Sequence, residues 1–312
     1  MENMTPSTAV PTPVPSAVDV EAAAGRIAGY ARRTPMLRTS IDGRPLSLKL
    51  EHLQLTGAFK LRGALNALLA GERTERVITA SGGNHGLGVA TAARLLGIEA
   101  VVYVPETVPQ AKARRLADSG AELVRVGEHY AVAAATARRR ADAEGVRYLH
   151  AYDDPDVVAG QGTLGHEIAA DAPECDSVVV AVGGGGLVAG VSVAIGPDRR
   201  AVAVEPEGCQ SLHAALAAGE PVETPVDSVA SSALGASRLG DVPFAVLREH
   251  PVTPVLVDDA EILAARDRLW EEFRIAAEPA AAVPFAAWLA GRVPGEHPCL
   301  VICGANTDWT PA

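Results

Sequence analysis

A chain of 312 residues with 48% hydrophobic and 21% charged side chains is long enough for two domains or one large α/β unit, and wholesale disorder is excluded. Its net charge of −11 disfavours nucleic acid and anionic membrane as partners. No apolar run reaches the roughly 18 residues of a membrane span, and no basic stretch followed by an apolar one opens the chain, so a cytoplasmic protein is expected.

Residues 1–18 are rich in Pro, Thr, Ser and Ala without periodicity and read as a disordered tail. A helix is predicted from about Val18 to Ala31, ended by the Arg33-Thr34-Pro35 step. From Leu48 the chain alternates like a strand until Thr56 and Gly57 break the pattern. Lys60 then opens an apolar helix of Leu61, Ala64, Leu65 and Leu68.

From Val77 short β-rich runs (77–80, 100–104, 122–126 and 148–150) alternate with helical patterns near 84–96, 109–119 and 128–144. A second series of apolar runs lies at 177–182, 201–204, 254–257 and 299–303. Such βα alternation predicts parallel sheets covered on both faces. We expect two α/β domains with a cleft between them: residues 19–76 and 151–312 form the larger, and 77–150 a smaller one inserted in it. Arg138, Arg139 and Arg140 read as a solvated helix face. Cys175, Cys209, Cys299 and Cys303 show no CxxC pair, and no metal site or disulfide framework is expected.

Four stretches carry chemistry. Lys60, beside Phe59 and small residues at the mouth of a helix, is placed to be desolvated and to attack a carbonyl carbon, as in Schiff-base formation. Ser81-Gly82-Gly83-Asn84-His85-Gly86 follows a strand and enters a helix. It reads either as a carboxylate-holding loop or as a plain turn capped by Asn84. Gly183-Gly184-Gly185-Gly186-Leu187 lies between a buried strand and a helix and reads as a phosphate cradle. The same glycines with Ala189, and Glu205 further on, also fit a dinucleotide fingerprint, which keeps a nicotinamide oxidoreductase open. The last apolar run ends at Cys303-Gly304-Ala305-Asn306, where the thiol is either core or in contact with a heterocycle.

Together these stretches resemble the fold type II pyridoxal-phosphate enzymes, most closely the serine/threonine dehydratase branch that also includes serine racemase. The resemblance covers nearly all of the chain after the tail: Thr34-Pro35-x-Leu37, Thr56 to Gly63, Ser81 to His85, Gly160-Gln161-Gly162-Thr163, the four glycines, Glu278-Pro279, and Cys303-Gly304-x-Asn306. It implies a tryptophan synthase β-like fold with the small domain inserted in the large one, and pyridoxal 5′-phosphate as cofactor. Lys60 would bind the cofactor's aldehyde and Phe59 would pack on its ring. Asn84 would bond its phenolic oxygen, Gly183, Gly184, Gly185, Gly186 and Leu187 would hold its phosphate, and Cys303 would face its ring nitrogen, with Glu278 nearby. Ser81, Gly82, Gly83, Asn84 and His85 would hold the substrate carboxylate.

The implied reaction is deamination of a β-hydroxy amino acid, L-threonine or L-serine, through an aminoacrylate to a 2-oxo acid and ammonia. Racemases of the family place a serine where this chain has Gly82, which demotes racemisation; Ser81 joins Lys60 as a catalytic candidate, as a neighbour able to substitute. Racemisation, β-replacement and a catalytically silent amino-acid sensor remain alternatives, and 3-hydroxyaspartate stays open as a substrate. Members that bind a divalent cation pair an acid at the Glu205 position with another six residues on, here Ser211, so only a monovalent ion is left open. A homodimer is implied. Because the chain stops soon after Asn306, no C-terminal effector domain is expected.

Overall fold

The computed structural model describes residues 13–310; most of the expected tail, residues 1–12, lies outside them. Helix α1 (Ala17–Ile27) begins inside the stretch read as tail, because Ser16 and Asp19 form a reciprocal cap: each backbone N–H donates to the other's side chain. It ends before Ala31, since Gly29 turns the chain at φ +86°. Strands β1 (Met36–Ile41) and β2 (Arg44–Lys49) form an antiparallel hairpin around Asp42-Gly43, with φ of +53° and +75°. The expected strand from Leu48 stops at Lys49, and a 3₁₀ turn (Glu51–Leu53) leads toward α2 (Lys60–Ala70).

The chain then alternates through β3 (Arg76–Ala80), α3 (Asn84–Leu96), β4 (Glu99–Val104), α4 (Gln110–Asp118), β5 (Glu122–Arg125), α5 (Tyr130–Glu144) and β6 (Arg147–Tyr148). These strands form a four-stranded parallel sheet, ordered β5-β4-β3-β6. Next come α6 (Pro155–Asp171), β7 (Ser177–Ala181), α7 (Gly186–Ala194), β8 (Arg200–Pro206), α8 (Ser211–Ala218), α9 (Ser231–Leu234) and α10 (Asp241–Glu249). The chain closes with β9 (Thr253–Val257), α11 (Asp259–Phe273), α12 (Pro279–Leu289) and β10 (Pro298–Val301). They complete a six-stranded sheet ordered β1-β2-β10-β7-β8-β9, parallel except for the β1–β2 hairpin. The fold is α/β with two largely parallel sheets, the smaller sheet interrupting the larger in sequence. Among the described residues no helix is long and apolar enough to cross a membrane.

Helix α6 runs between α2 and α7 with main chain against main chain. A Cβ on Gly160 would lie 2.7 Å from the Gly63 Cα, and one on Gly190 would lie 2.3 Å from the Val158 carbonyl oxygen. Glycine is required at these crossings because any side chain would push the helices apart.

Beneath the crossing lies a buried charge network. Arg62 on α2 donates to both carboxylate oxygens of Glu51 at 2.7 and 2.9 Å and of Glu167 at 2.7 and 3.0 Å. Lys49 at the end of β2 donates to Glu167 at 2.6 Å and to the Thr34 carbonyl at 2.8 Å, and the Thr34 hydroxyl donates to Glu51. Burial alone would raise the Glu51 pKa and lower that of Arg62, but the facing opposite charges reverse both shifts. Two cations and two carboxylates thus compensate one another out of water. Replacing Arg62 by Met would strip Glu51 of its cationic partner and leave Glu167 with Lys49 alone. It is expected to cost about 3–5 kcal/mol of unfolding free energy in urea, while Arg38→Met at the exposed Arg38–Glu174 pair should leave the unfolding midpoint unchanged.

Candidate active site

In open parallel sheets, ligands bind beyond the carboxyl ends of the strands. Here such ends from both sheets border one cavity of about 500 Å³. It is lined by residues that follow β3 (Ser81 to His85), β6 (Ala151, Tyr152), β7 (Gly183 to Gly186) and β10 (Cys303), and by Phe59, Lys60, Leu187 and Glu278. Every residue to which the family resemblance gives a role therefore borders a single space.

Lys60 is the first residue of α2. The stretch before it is pinned to the end of β10: Ala58 bridges Gly304, the Phe59 N–H donates to the Cys303 carbonyl at 3.1 Å, and the Ala305 N–H donates to the Gly57 carbonyl at 2.9 Å. The Lys60 amine donates to the Ala151 carbonyl at 2.8 Å and lies 5.1 Å from the Phe59 ring centroid. Burial lowers its pKa from the ordinary 10.5 to about 8, opposed only by nearby Cys303. About a tenth of this amine is neutral, and so nucleophilic, at pH 7, and about half at pH 8.

The Ser81 loop is more than a capped turn. Gly83, not Asn84, is the N-cap of α3, and it makes no side-chain cap. The first intrahelical bond runs from the Leu87 N–H to the Gly83 carbonyl, which leaves the amides of Asn84, His85 and Gly86 without helical partners. The Asn84 side chain instead donates to Glu278 Oε1 at 2.8 Å. The Ser81 hydroxyl accepts the Gly83 N–H at 3.2 Å. The His85 ring is turned to the Thr79 hydroxyl at 3.0 Å and the Leu149 carbonyl at 3.2 Å. Burial, with Lys60 nearby, pushes the His85 pKa down to about 3, so this imidazole is neutral and engaged in packing; the residue offers the loop its main chain.

At the glycine loop, Gly185 caps α7 at φ +88°. The first helical bond runs from the Ala189 N–H to the Gly185 carbonyl, so the amides of Gly186, Leu187 and Val188 point out of the helix end. A Cβ on Gly184 would strike the Tyr152 ring at 2.3 Å, and one on Gly183 would lie 2.9 Å from the Leu234 Cα. The loop is thus a cradle that only glycine keeps open. Cys303 is 3% exposed, and burial followed by the charge of Glu278 pushes its thiol pKa up, so it stays protonated. Glu278 is raised to about 7, chiefly by burial.

Several cavity residues are not expected from the sequence. The Ala151 carbonyl gives no signal, because any residue could supply it. Tyr152 follows the end of β6, where the rule that selects Ser81 applies equally; Lys112 sits in the first turn of α4, and Ser231 to Ser237 complete the lining. Glu205, the acid of the dinucleotide reading, is not among the lining residues. Its carboxylate accepts the Leu212 and His213 amides at 2.7 and 2.9 Å, which commits it to the start of α8.

A partly neutral amine, a cavity of heterocycle size and two helix ends that receive anions suit an aldehyde bearing a phosphate, together with an amino-acid carboxylate. Known proteins agree. Residues 27–304 match the family described as pyridoxal-phosphate dependent enzyme. The L-threonine ammonia-lyase of Geobacter sulfurreducens is 37% identical over 302 residues, covering 93% of this chain and 75% of that protein. The catabolic L-threonine dehydratase of Staphylococcus aureus is 34% identical, covering 94% and 89%. Among solved structures, maize serine racemase superposes with a TM-score of 0.90 at 31% identity, covering 95% of this chain and 94% of that one. The processed form of threonine deaminase isoform 2 from Solanum lycopersicum superposes with a TM-score of 0.88 at 30% identity, covering 97% and 91%. With the match spanning almost the whole of both sheets and every strand end that borders the cavity, the chain belongs to the pyridoxal-phosphate dependent enzymes.

Proposed function

We propose that the chain is an ammonia-lyase that converts a β-hydroxy amino acid, L-threonine or L-serine, to a 2-oxo acid and ammonia. The observation that carries this reading is the place of Lys60: a half-buried amine at the first turn of α2, in a cavity between two loops whose helix ends present main-chain amides without helical partners. When bound, pyridoxal phosphate supplies an electron sink for the charge left at the substrate Cα.

The remaining work falls to the chain's own groups. Lys60 is the amine that would attach the cofactor and, when free, take the substrate Cα proton; the Ala151 carbonyl orients it. Gly183 to Leu187 would hold the phosphate, Phe59 would pack along the ring, and Asn84 would donate to the phenolic oxygen. The Ser81 to His85 main chain holds the substrate carboxylate. Cys303, a protonated thiol, offers the ring nitrogen no negative charge to retain a proton, which favours loss of the β-hydroxyl over transamination. Residues 77–150 act as a smaller domain whose loops meet those of the larger across the cavity. The proposal extends to a homodimer, taken from the family alone, to a bound monovalent cation, and to a cytoplasmic location.

Racemisation is the second reading, favoured by the likeness to maize serine racemase. Against it, Gly82 has no side chain to act as acid or base, and the Ser81 hydroxyl is engaged with the Gly83 amide. Chiral chromatography of L-serine reactions separates the two: 2-oxo acid and ammonia without D-serine supports the lyase, and D-serine as the main product overturns it.

Lys60→Ala should abolish the visible cofactor absorbance and lower 2-oxo acid formation by about 10³-fold or more. A coloured, active Lys60→Ala protein excludes the assignment. The pH dependence of cofactor capture follows from the lowered pKa, because only the neutral amine attacks. The capture rate of cofactor-free protein should rise about tenfold per pH unit and level off near pH 8, whereas an ordinary lysine would keep gaining toward 10.5. Stopped-flow absorbance after mixing with pyridoxal phosphate measures this profile.

A further inference from the structure

The role given to Asn84 requires its side-chain NH₂, and not its carbonyl oxygen, to face the cavity. The two ends of an amide are nearly equal in shape, so a neighbour must choose between them. We infer that Asn306 makes this choice: it is a positioning residue that holds Asn84 with an N–H presented to the cofactor. This inference rests on the cofactor assignment above.

The argument starts from an acceptor that cannot be reversed. Asn306 Nδ2 donates to the Thr56 main-chain carbonyl at 2.9 Å, and a carbonyl only accepts, which fixes the nitrogen end of Asn306. The same nitrogen donates to Asn84 Oδ1 at 2.7 Å, so both of its hydrogens are used and Asn84 must answer with oxygen. The Asn84 NH₂ is thereby turned the other way. One hydrogen goes to Glu278 Oε1 at 2.8 Å, and the second is left for the cavity. Turning Asn84 over would set NH₂ against NH₂ on one side and carbonyl against a carboxyl oxygen on the other.

The backbone supports this placement. Gly57 has φ +72°, and a Cβ there would lie 2.9 Å from Asn306 Oδ1, so the glycine three residues before Lys60 leaves room for the Asn306 amide. The donor chain Asn306, Asn84, Glu278 therefore runs from the segment after the last strand, across the start of α3, to the cap of α12.

Two variants separate orientation from mere support. Asn306→Asp keeps the shape but turns a donor into an acceptor, which inverts Asn84; Asn306→Ala only releases it. Each is compared with Asn84→Ala in the holoenzyme, by the ratio of visible to near-ultraviolet cofactor absorbance and by the cofactor Kd from equilibrium dialysis. Asn306→Asp is expected to lower the ratio and raise Kd by about 5- to 10-fold, matching Asn84→Ala. Asn306→Ala should fall between it and wild type, and adding Asn306→Asp to Asn84→Ala should change nothing further. Wild-type ratio and Kd in Asn306→Asp, beside altered values in Asn84→Ala, overturn the inference, as do additive effects. An order that follows the melting temperatures of the cofactor-free variants, with alanine at least as damaging as aspartate, also overturns it. If Asn84→Ala itself changes neither readout in a coloured protein, the Asn84 contact is wrong while the cofactor assignment stands; a wild type that stays colourless with the cofactor sinks both.

Discussion

The site depends first on a guanidinium that never reaches it. Arg62 lies two residues beyond Lys60 on α2, wholly buried, and its hydrogen bonds to Glu51 and Glu167 fix the first turn of that helix against the 3₁₀ turn and α6. A lysine with several rotatable bonds is useful as a nucleophile only if its Cα is held, and the charge network holds it. The cost of burying four ions is offset by their mutual pairing, so the network acts all or none: any single loss leaves a partner charge without water. That explains why a motif around the reactive amine includes residues that touch nothing in the cavity.

The second level of organisation is the junction of the two sheets. The Lys60 stretch belongs with the large sheet through Ala58 and Gly304, while the Ser81 loop belongs with the small one; Asn84, Glu278 and Asn306 stitch the two across the cavity's edge. The electrostatics follow the same plan. Lys60, Cys303 and Glu278 are each shifted toward their neutral forms by burial, while the helix ends at the two loops present main-chain amides without helical partners to the cavity.

Much of this is legible in the sequence, for identifiable reasons. Strands β3 and β4 are short runs rich in β-branched residues, and with β5 and β6 they alternate with helical patterns, which marks all four to within a residue or two. The loops that border the cavity are recognisable because they follow such strands. The β1–β2 hairpin has a turn signal in Asp42-Gly43, but Arg44 and Pro45 interrupt the alternation that would make its strands visible. Helix α6 is obscured by Gly160, Gly162 and Gly165, which look like turn residues but serve to let main chains touch. The place of His85 in its loop suggests a ligand-facing ring, yet its partners Thr79 and Leu149 are 6 and 64 residues away, and only the folded sheet brings the second into reach. Arg62 and Glu167, 105 residues apart, pair for the same reason.

The glycine crossings of α6 carry a consequence for how the protein tolerates change. At its glycines α6 meets α2 and α7 main chain to main chain, and these crossings, together with the Arg62–Glu167 pair, set the separation between the lysine at one helix start and the glycine loop at another. Those helices act as a caliper whose jaws are set at fixed glycines more than by the apolar residues around them. Apart from Leu234, which packs against Gly183, the cavity wall at Ser231 to Ser237 lies outside these crossings and can be remodelled without altering the gauge between the two helix starts.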